Sequence, residues 1–380
     1  MNNNVKKTIC IALTNRTNYS KLKSTLLELK SYEDINIYIV LSSSILLDRY
    51  GNGYKDILND GFKIDNKIDC ALLNDSHEAM AKTIGLSIVE HASYFSYREP
   101  DLLLIVGDRY DMLAPVIAAG TMNIPIAHVQ GGELSGTIDN VIRDVLTKFS
   151  TLHFVATEKS AKNLIKYGIH EKNVHNFGCP AVEYMTNLPL EDSFDSNKLS
   201  KKFKNPVHIK KDEKFLVVMV HPDTTNENDV DMDKVLKIIS KFNLKTYIFY
   251  PNIDANNTEI VSSIASYRNN SNFSMIRHMP LEDYIYTMSH CSCLIGNSSS
   301  GIRESASFGV PCINIGYRQA DRERNKNTID IGENYELLES MISKNLTKRY
   351  KIDNIYYQKN CSKRIVNEIA NYVMKEKNVK

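Results

Sequence analysis

The chain has 380 residues, with 47 basic against 45 acidic side chains and a formal net charge of +2. This length predicts two or three domains with room for large cores. The balanced charge excludes the strongly basic surface of proteins that bind nucleic acid or anionic membranes. Only six mostly apolar residues, Thr8 to Leu13, follow the amino terminus, too few for a signal-peptide core or a membrane span. We therefore expect a cytoplasmic protein with neither a nucleic-acid nor a membrane partner.

The seven cysteines are not spaced like zinc ligands, because nothing near the Cys291-x-Cys293 pair completes a set of four. Several of them lie in or beside apolar segments, as Cys10 and Cys312 do. Free cysteine packs as a small hydrophobic residue. We predict reduced, buried thiols and no metal site.

The first half of the chain alternates short apolar runs with helical periodicity. Strands are predicted over Thr8–Leu13, Ile35–Leu41, Leu102–Val106, Ile124–Val129, Leu152–Ala156 and Val174–Phe177. Helices are predicted near Ser20–Ser31, His77–Tyr97, Met112–Met122, Asn140–Phe149 and Lys159–Tyr167. This alternation indicates a parallel sheet that is covered by helices on both faces.

Residues 185–212 are rich in Asp and Lys and predict a linker with some helical content. A second series of strands is predicted over Phe215–Val220, Thr246–Tyr250, Phe273–Ile276, Cys291–Ile295 and Pro311–Ile315. We predict an α/β protein of two Rossmann-like domains, residues 1–184 and 185–380, with ligands in a cleft at the carboxyl ends of parallel strands. The helix-like tail near Ile365–Val373 can return to the first domain in folds of this kind.

The run from Asn297 to Glu304, Asn-Ser-Ser-Ser-Gly-Ile-Arg-Glu, follows the apolar residues Cys293–Ile295. It predicts a strand, a polar turn and a helix that starts near Ser299, whose N–H groups and dipole favour a phosphate. Glu304, about one turn into this helix, can accept hydrogen bonds from two vicinal ribose hydroxyls. The pattern indicates a nucleoside-diphosphate site; the alternative is a serine-rich helix cap with a capping glutamate.

Other polar residues also follow predicted strands directly, where a parallel sheet binds ligands. Any one of them alone can be a capping or loop residue, but six such placements together favour a site. These residues are Arg16 and Ser20, Asp108 and Arg109, Gln130 to Glu133, His221, Asn252, and Arg318.

Six motifs occur in an order that resembles the hydrolysing UDP-N-acetylglucosamine 2-epimerases of sialic-acid biosynthesis and their relatives in pathways to nonulosonic acids such as legionaminic acid. The motifs are Arg16–Lys21, Gly107–Arg109, Gly131–Asp139, His221–Thr225, Pro251–Asp254 and Gly316–Gln319. The resemblance covers about residues 5 to 330 and implies the two-domain GT-B fold. It also implies a UDP-sugar substrate, a homodimer or homotetramer, and no metal or redox cofactor.

The resemblance implies a role for each candidate residue. Catalytic acid–base carboxylates fall on Asp108 and Asp139, and His221 falls near the leaving phosphate. Nucleotide contacts fall on Arg16, Ser20, Arg109, His221, Asn252, Ser298, Ser299, Glu304 and Arg318. The implied reaction eliminates UDP to leave a glycal, which then adds water to give the free 2-epimeric sugar. For Asp139, the competing interpretation is a helix N-cap.

Three positions depart from the family pattern. Gln130 stands where the family commonly has Glu, Asp144 where His is common, and Ile45 where many members have His. Gln130 cannot exchange a proton at neutral pH, so either Glu133 or another neighbour does this work, the substrate differs, or activity is low. A second sugar candidate is N,N′-diacetylbacillosamine on UDP or GDP. The alternatives are a non-hydrolysing epimerase, a GT-B glycosyltransferase, and a nucleotide-sugar-binding protein that has lost catalysis.

Overall fold

The computed structural model describes residues 6–74, 76–199, 207–225 and 230–375. Within these ranges the chain forms two compact units. Unit 1 comprises the chain up to Leu134, residues Asp139–Tyr184 and the chain from Tyr356 onward; unit 2 comprises Ser135–Ile138 and Met185–Ile355. Of the predicted linker, residues 200–206 lie outside the described ranges.

The strands of the two units are, in chain order, β1 (Lys7–Leu13), β2 (Ile35–Ser42), β3 (Ile64–Ile68), β4 (Leu102–Val106), β5 (Ile126–Val129), β6 (Leu152–Val155), β7 (Val174–Asn176), β8 (Phe215–Met219), β9 (Lys245–Phe249), β10 (Phe273–Ile276), β11 (Cys293–Gly296), β12 (Cys312–Ile315) and β13 (Thr328–Gly332). In unit 1 the described strands form one parallel sheet in the order β3-β2-β1-β4-β5-β6-β7. In unit 2 they form a second parallel sheet in the order β10-β9-β8-β11-β12-β13.

The α-helices between the strands are α1 (Arg16–Leu29), α2 (Tyr54–Asn59), α3 (His77–Arg98), α4 (Leu113–Thr121), α5 (Asp139–Phe149), α6 (Glu158–Lys166), α7 (Pro180–Asn187), α8 (Met232–Ser240), α9 (Asn257–Ser266), α10 (Leu281–His290), α11 (Ser299–Arg303), α12 (Tyr335–Asn345) and α13 (Cys361–Lys375). Among the described residues, none of these helices is both long and apolar enough to cross a membrane.

Strand β1 shows why helices cover both faces of its sheet. Ile9, Ile11 and Leu13 lie in one buried cluster with residues of α1 and α13, whereas Cys10 and Ala12 lie in another with residues of α3 and α4. Successive side chains of a strand point to opposite faces, so an apolar run buries itself only if both faces are covered. In unit 2, one cluster joins β8 to α8, α9 and α12.

The predicted fold class, two Rossmann-like domains with parallel sheets, is confirmed. Two strands were missed, β3 and β13, and both lie at the edge of their sheet. Edge strands are covered on fewer sides, and accordingly most residues of β3 and β13 are at least partly exposed and do not form an apolar run. Helix α1 begins at Arg16, earlier than predicted, because the Asn15 side chain caps it by accepting hydrogen bonds from the N–H groups of Thr17 and Asn18.

The tail helix α13 belongs to unit 1, and its first turn is bound there by a buried carboxylate. Glu183 accepts hydrogen bonds from the N–H groups of Cys361 and Ser362, both at 2.9 Å. These donors have no partner inside the helix, so the carboxylate satisfies them from outside. All seven cysteines are free and buried, which confirms the prediction of buried thiols.

Candidate active site

In unit 1, candidate residues lie where strands of the sheet end. Asp108 and Arg109 follow β4, and Gln130 and Glu133 follow β5, as the sequence predicts. Arg109, Gln130 and Glu133 are buried, with 8%, 4% and 6% of their surface exposed. Charged and amide side chains are rarely buried this far without partners. Glu133 is therefore not a solvated loop carboxylate.

Arg143, which was not predicted from the sequence, contacts two of the candidate residues, Asp108 and Glu133. Its guanidinium donates to Asp108 Oδ2, to the Glu133 carbonyl oxygen at 2.7 Å, and to Asn140 Oδ1 at 2.9 Å. Burial acts to lower the pKa of Arg143, but neighbouring carboxylates outweigh it and the pKa is raised. Those carboxylates are Asp108, Glu133 and Asp139. The proposed acid–base residues thus share the field of one buried cation.

Asp139 is the first residue of α5, and its side chain is half-buried. A carboxylate in the first turn of a helix interacts favourably with the helix dipole. A contribution to the helix and a chemical role are therefore compatible at this position. Arg143 lies four residues further along the same helix, so the two side chains share one face.

The residues that precede Asp139 are held in unit 2. The Gly136 N–H donates to the Arg318 carbonyl oxygen at 3.0 Å, and the Ile138 N–H donates to Thr225 Oγ1 at 2.6 Å. A Cβ atom on Gly136 would lie 2.1 Å from the Tyr317 carbonyl oxygen. Only glycine fits this approach of two backbones, which explains the glycine of the Ser-Gly-Thr motif.

Gln130 directly follows β5, and its backbone is in the left-handed region with φ 71°. Its N–H donates to the Phe154 carbonyl oxygen at 2.8 Å, and its amide nitrogen lies 3.3 Å from Cys179 Sγ. Gly132 has φ 73°, and a Cβ there would lie 2.3 Å from the Ser160 carbonyl oxygen. Left-handed backbone is uncommon outside glycine and concentrates at functional sites. The loop after β5 is thus fixed by its backbone conformation and by the close approach of Gly132 to Ser160.

Two guanidinium groups lie near each other beside these carboxylates. Burial, and then the positive charge of Arg109, lower the pKa of Arg16 to about 10. Arg109 Nε is 3.5 Å from Asp111 Oδ2. Neighbouring cations repel each other, and this repulsion falls when an anion binds between or beside them. The Ser20 hydroxyl, by contrast, donates to the Thr17 carbonyl oxygen at 3.0 Å, within its own helix.

In unit 2, Asn297 holds the loops that follow three neighbouring strands. Its side-chain oxygen accepts from the His221 N–H at 2.8 Å, and its side-chain nitrogen donates to the His221 carbonyl oxygen at 2.7 Å. Its own carbonyl oxygen accepts from Arg318 Nη1 at 3.4 Å and Gln319 Nε2 at 3.1 Å. His221 and Arg318 are therefore brought together with the Ser298-Ser299 turn. From the sequence, Asn297 was only the first residue of the run from Asn297 to Glu304, with no role of its own predicted.

The serine turn has the predicted form. Ser298 is the N-cap of α11, its hydroxyl accepts from the Ser300 N–H at 3.4 Å, and the helix begins at Ser299. The expected place of Glu304, one turn inside a helix, is wrong. Because α11 ends at Arg303, Glu304 follows the helix as its C-cap and leads into a short 3₁₀ turn.

Glu304 is nevertheless buried, with 9% of its surface exposed, and its Oε2 accepts from the Ser300 hydroxyl. Asn252 follows β9, the neighbour of β8, and is half-buried. Its carbonyl oxygen accepts from Asn257 Nδ2 at 3.3 Å. Within the described residues, a side-chain hydrogen bond connects neither Asn252 nor Ser20 to another candidate residue.

Metal-ligating groups do not cluster in the part of the chain that the structure describes, where no three His, Cys, Asp or Glu side chains could hold an ion together.

Residues 28–370 match the family model described as UDP-N-acetylglucosamine 2-epimerase. The chain belongs to this 2-epimerase family. Its relatives include the UDP-N,N′-diacetylbacillosamine 2-epimerase (hydrolyzing) of Legionella pneumophila, 33% identical over 93% of this chain and 92% of that protein. They also include the GDP/UDP-N,N′-diacetylbacillosamine 2-epimerase (hydrolyzing) of Campylobacter jejuni, 33% identical over 88% of each chain. The family prediction, and with it the prediction of an enzyme, is confirmed.

A solved structure shares the fold of this 2-epimerase. The UDP-GlcNAc 2-epimerase from Neisseria meningitidis bound to UDP-GlcNAc superposes with a TM-score of 0.78 and 17% sequence identity. The superposition covers 96% of this chain and 100% of that one. Both sheets of the 2-epimerase thus have counterparts in a structure of known fold.

Proposed function

We propose that this 2-epimerase is the hydrolysing kind, which converts a nucleoside-diphosphate 2-acetamido sugar and water to the free 2-epimeric sugar and the nucleoside diphosphate. The observation that carries the hydrolysing outcome is that two relatives 33% identical to the chain are both named hydrolyzing 2-epimerases. The grouping of Asp108, Glu133 and Asp139 near Arg143 supports the elimination chemistry. Elimination requires a positioned base at C2 and charge stabilisation at the leaving diphosphate. The carboxylates supply the first, and the guanidinium groups nearby supply the second.

In the elimination step a carboxylate removes the proton at C2, and the electron pair of that C–H bond forms a double bond between C1 and C2. The C1–O bond breaks at the same time, and its electrons leave with the diphosphate. In the second step the electron pair of the double bond takes a proton from a second, protonated carboxyl group on the opposite face of C2. The oxygen of water bonds to C1, and the proton that this water releases restores the carboxyl group. Asp108 and Asp139 are proposed for these proton transfers because both lie near Arg143, whose positive charge keeps the carboxylate that acts as base in its ionised form.

The nucleotide is proposed to bind mainly through unit 2. Arg318 and His221 meet at Asn297, next to the donors at the start of α11. Arginines make bidentate contacts to phosphate oxygens, and backbone N–H groups add to them. Glu304 is proposed to accept hydrogen bonds from the ribose. In unit 1, a diphosphate would relieve the repulsion between Arg16 and Arg109.

Two sugars are candidates. UDP-N-acetylglucosamine is the sugar of the family description. N,N′-Diacetylbacillosamine, linked to UDP or GDP, is the sugar in the names of two relatives that are 33% identical to the chain. The relative from Neisseria meningitidis named UDP-N-acetylglucosamine 2-epimerase is 27% identical. We favour the diacetylbacillosamine substrate on these identities.

The test is to incubate the full chain with UDP-N-acetylglucosamine, and separately with UDP- and GDP-N,N′-diacetylbacillosamine, in deuterated water and to identify the products by NMR. We expect a free sugar that is inverted and deuterated at C2, together with the nucleoside diphosphate. A mixture of C2-epimeric nucleotide sugars would instead identify a non-hydrolysing epimerase. Transfer to an added acceptor would identify a glycosyltransferase, and saturable binding without turnover would identify a protein that has lost catalysis.

The assignment of acid–base residues has its own test. Asp108→Asn and Asp139→Asn should lower turnover by about 10²-fold or more, the usual scale for a lost general acid or base, and leave UDP affinity nearly unchanged. Glu78→Gln is the control, since the Glu78 side chain is 73% exposed on α3. Equal losses of UDP binding and turnover in the aspartate variants would assign these residues to the structure instead of the chemistry.

We further propose that the protein acts in the cytoplasm as a homodimer or homotetramer. Soluble nucleotide sugars are its expected substrates, and symmetric assemblies are the commonest form of oligomeric enzymes. Light scattering on the purified full chain tests the assembly: a single monomeric mass at assay concentration would contradict it. Cell fractionation tests the location.

A further inference from the structure

Glu304 is held by a chain of two hydroxyl groups inside unit 2. The Ser300 hydroxyl donates to Glu304 Oε2, and the Tyr284 hydroxyl is hydrogen-bonded to Ser300 Oγ. Ser300 and Glu304 are four residues apart across the end of α11, and Tyr284 comes from α10. The three side chains thus connect two separate helices.

The direction of the protons in this chain follows from chemistry. An ionised carboxylate can only accept, so Ser300 uses its one proton on Glu304. Tyr284 must then be the donor to Ser300 Oγ. Burial, and next the negative charge of Glu304, raise the pKa of Tyr284 well above its ordinary value, so the phenol keeps the proton that it donates. The order is Tyr284 to Ser300 to Glu304.

Tyr284 itself is fixed by its surroundings. Its hydroxyl lies 3.5 Å from the sulfur atoms of Met219 and Met288, and its ring packs edge-on against Phe249 with centroids 5.7 Å apart. Sulfur is a weak acceptor, so the strong partner of the phenol is Ser300. A buried hydroxyl that has one strong partner holds that partner in place, because loss of the bond would leave a buried donor unsatisfied.

We propose that Tyr284 and Ser300 are positioning residues, which orient the Glu304 carboxylate so that the site selects a ribose over a deoxyribose. This inference rests on the proposed function, in which Glu304 accepts the ribose hydroxyls. A carboxylate offers about four acceptor positions, and Ser300 takes one of them. Fixing the carboxylate plane in this way lowers the cost of ordering it when the nucleotide binds. The gain is specific to a ligand that carries both hydroxyls.

The test measures the affinity of the full chain for UDP, 2′-deoxy-UDP and 3′-deoxy-UDP by calorimetry. Hydrogen bonds to charged groups imply that the wild type prefers UDP over at least one deoxy analogue by about tenfold or more. Glu304→Ala should remove this preference. Tyr284→Phe deletes only the hydroxyl and should reduce the preference by roughly 3- to 10-fold, the scale of one neutral hydrogen bond, with little change in affinity for the deoxy analogue.

Tyr286→Phe is the matched control on the same helix. The Tyr286 hydroxyl donates to the Ser193 carbonyl oxygen at 2.9 Å and accepts from the Asp195 N–H at 2.7 Å, so this variant also loses one partly buried, hydrogen-bonded hydroxyl. It should leave the preference for UDP unchanged. Urea unfolding of each variant shows whether the fold is intact, and only folded variants are compared.

A double variant decides whether Tyr284 acts through Glu304. In the Glu304→Ala background, Tyr284→Phe should have no further effect on the preference. If Glu304→Ala removes the preference while Tyr284→Phe leaves it or weakens all three ligands equally, the positioning role is wrong and the ribose contact stands. If Glu304→Ala leaves the preference unchanged, the ribose contact itself is wrong, and the positioning role fails with it. Absence of any UDP binding by the wild type would overturn both this inference and the proposed function.

Discussion

Removal of Arg143 is the sharpest perturbation of the proposed catalytic group. Only 1% of its side chain is exposed, and that of Asp108, its ionic partner, is 15% exposed. Removing one member of a buried ion pair costs about 3–5 kcal/mol, because the other charge is left without its partner. Because Asp108 is partly exposed to water, we expect Arg143→Met to lower the free energy of unfolding by about 3 kcal/mol, the lower end of that range. Arg143→Lys keeps the positive charge but lacks the planar guanidinium with its several donors. It should lower the free energy of unfolding by roughly 1.5–3 kcal/mol, the contribution of about one charged hydrogen bond.

Two measurements test this expectation on the full chain. Urea unfolding gives the loss of stability in each variant. Combining Arg143→Met with Asp108→Asn should destabilise the protein less than the sum of the two single changes, because Asp108 is then no longer charged without its ionic partner. Full recovery is not expected, since the Glu133 carbonyl oxygen and Asn140 also lose their donor.

The kinetic measurement separates a catalytic consequence from simple loss of stability. The positive charge of Arg143 favours ionised carboxylates nearby. Arg143→Lys weakens the contact with Asp108. The acidic limb of the pH profile of kcat/KM should therefore move to higher pH in this variant. A variant with wild-type stability and an unchanged pH profile would refute the reasoning, and so would additive losses in the double variant.

Three further predictions concern stability. Burial is the main cause that lowers the pKa of His128 to about 4 and the pKa of His153 to about 3. Both imidazoles must stay neutral in the folded state, so their contribution to the free energy of unfolding is complete above the unfolded pKa of about 6.5 and is lost as the pH drops. Urea unfolding at pH 5 should show a loss of about 2 kcal/mol per histidine. His128→Gln should reduce this loss. Gly296→Ala should cost more than about 2 kcal/mol, since φ is 137° and the new Cβ would lie 2.0 Å from a carbonyl oxygen of β8. Glu183→Ala should cost about 2 kcal/mol through loss of both hydrogen bonds at the start of α13, with Glu78→Ala unchanged.

The sequence predicted the central strands because full burial demands continuous apolar runs. Leu102–Val106 is such a run, and its five residues are buried in β4. The polar residues Asp108 and Arg109 were predicted as site residues because they directly follow this apolar run, at the end of a buried strand. The edge strands β3 and β13 gave no such signal, because neither is a continuous apolar run. The insertion of Ser135–Ile138 into unit 2 was also beyond prediction, because it depends on contacts between residues about 90 to 180 positions apart.

Arg143 and Tyr284, which hydrogen-bond to other residues of the site, were not predicted from the sequence. Arg143 had a weak signal, a cation four residues after Asp139 on the face of α5 that Leu146 continues. A charge on an apolar face needs a buried partner, but the sequence does not say which one. Tyr284 gave no signal, because a tyrosine on an amphipathic helix is an ordinary core residue. Its partner becomes visible only once α10 and α11 are packed together.

The departure at Gln130 can be interpreted through the backbone of its loop. Gln130 contacts Cys179 through its amide nitrogen, whereas the charge that raises the pKa of Arg143 comes in part from Glu133. The glycines between them are fixed by the approach of Gly132 to the Ser160 carbonyl oxygen, so Glu133 cannot move freely to the place of its neighbour. A proton-transfer role at Glu133 therefore requires that the substrate reach this carboxylate where the loop holds it, and not at the place of Gln130.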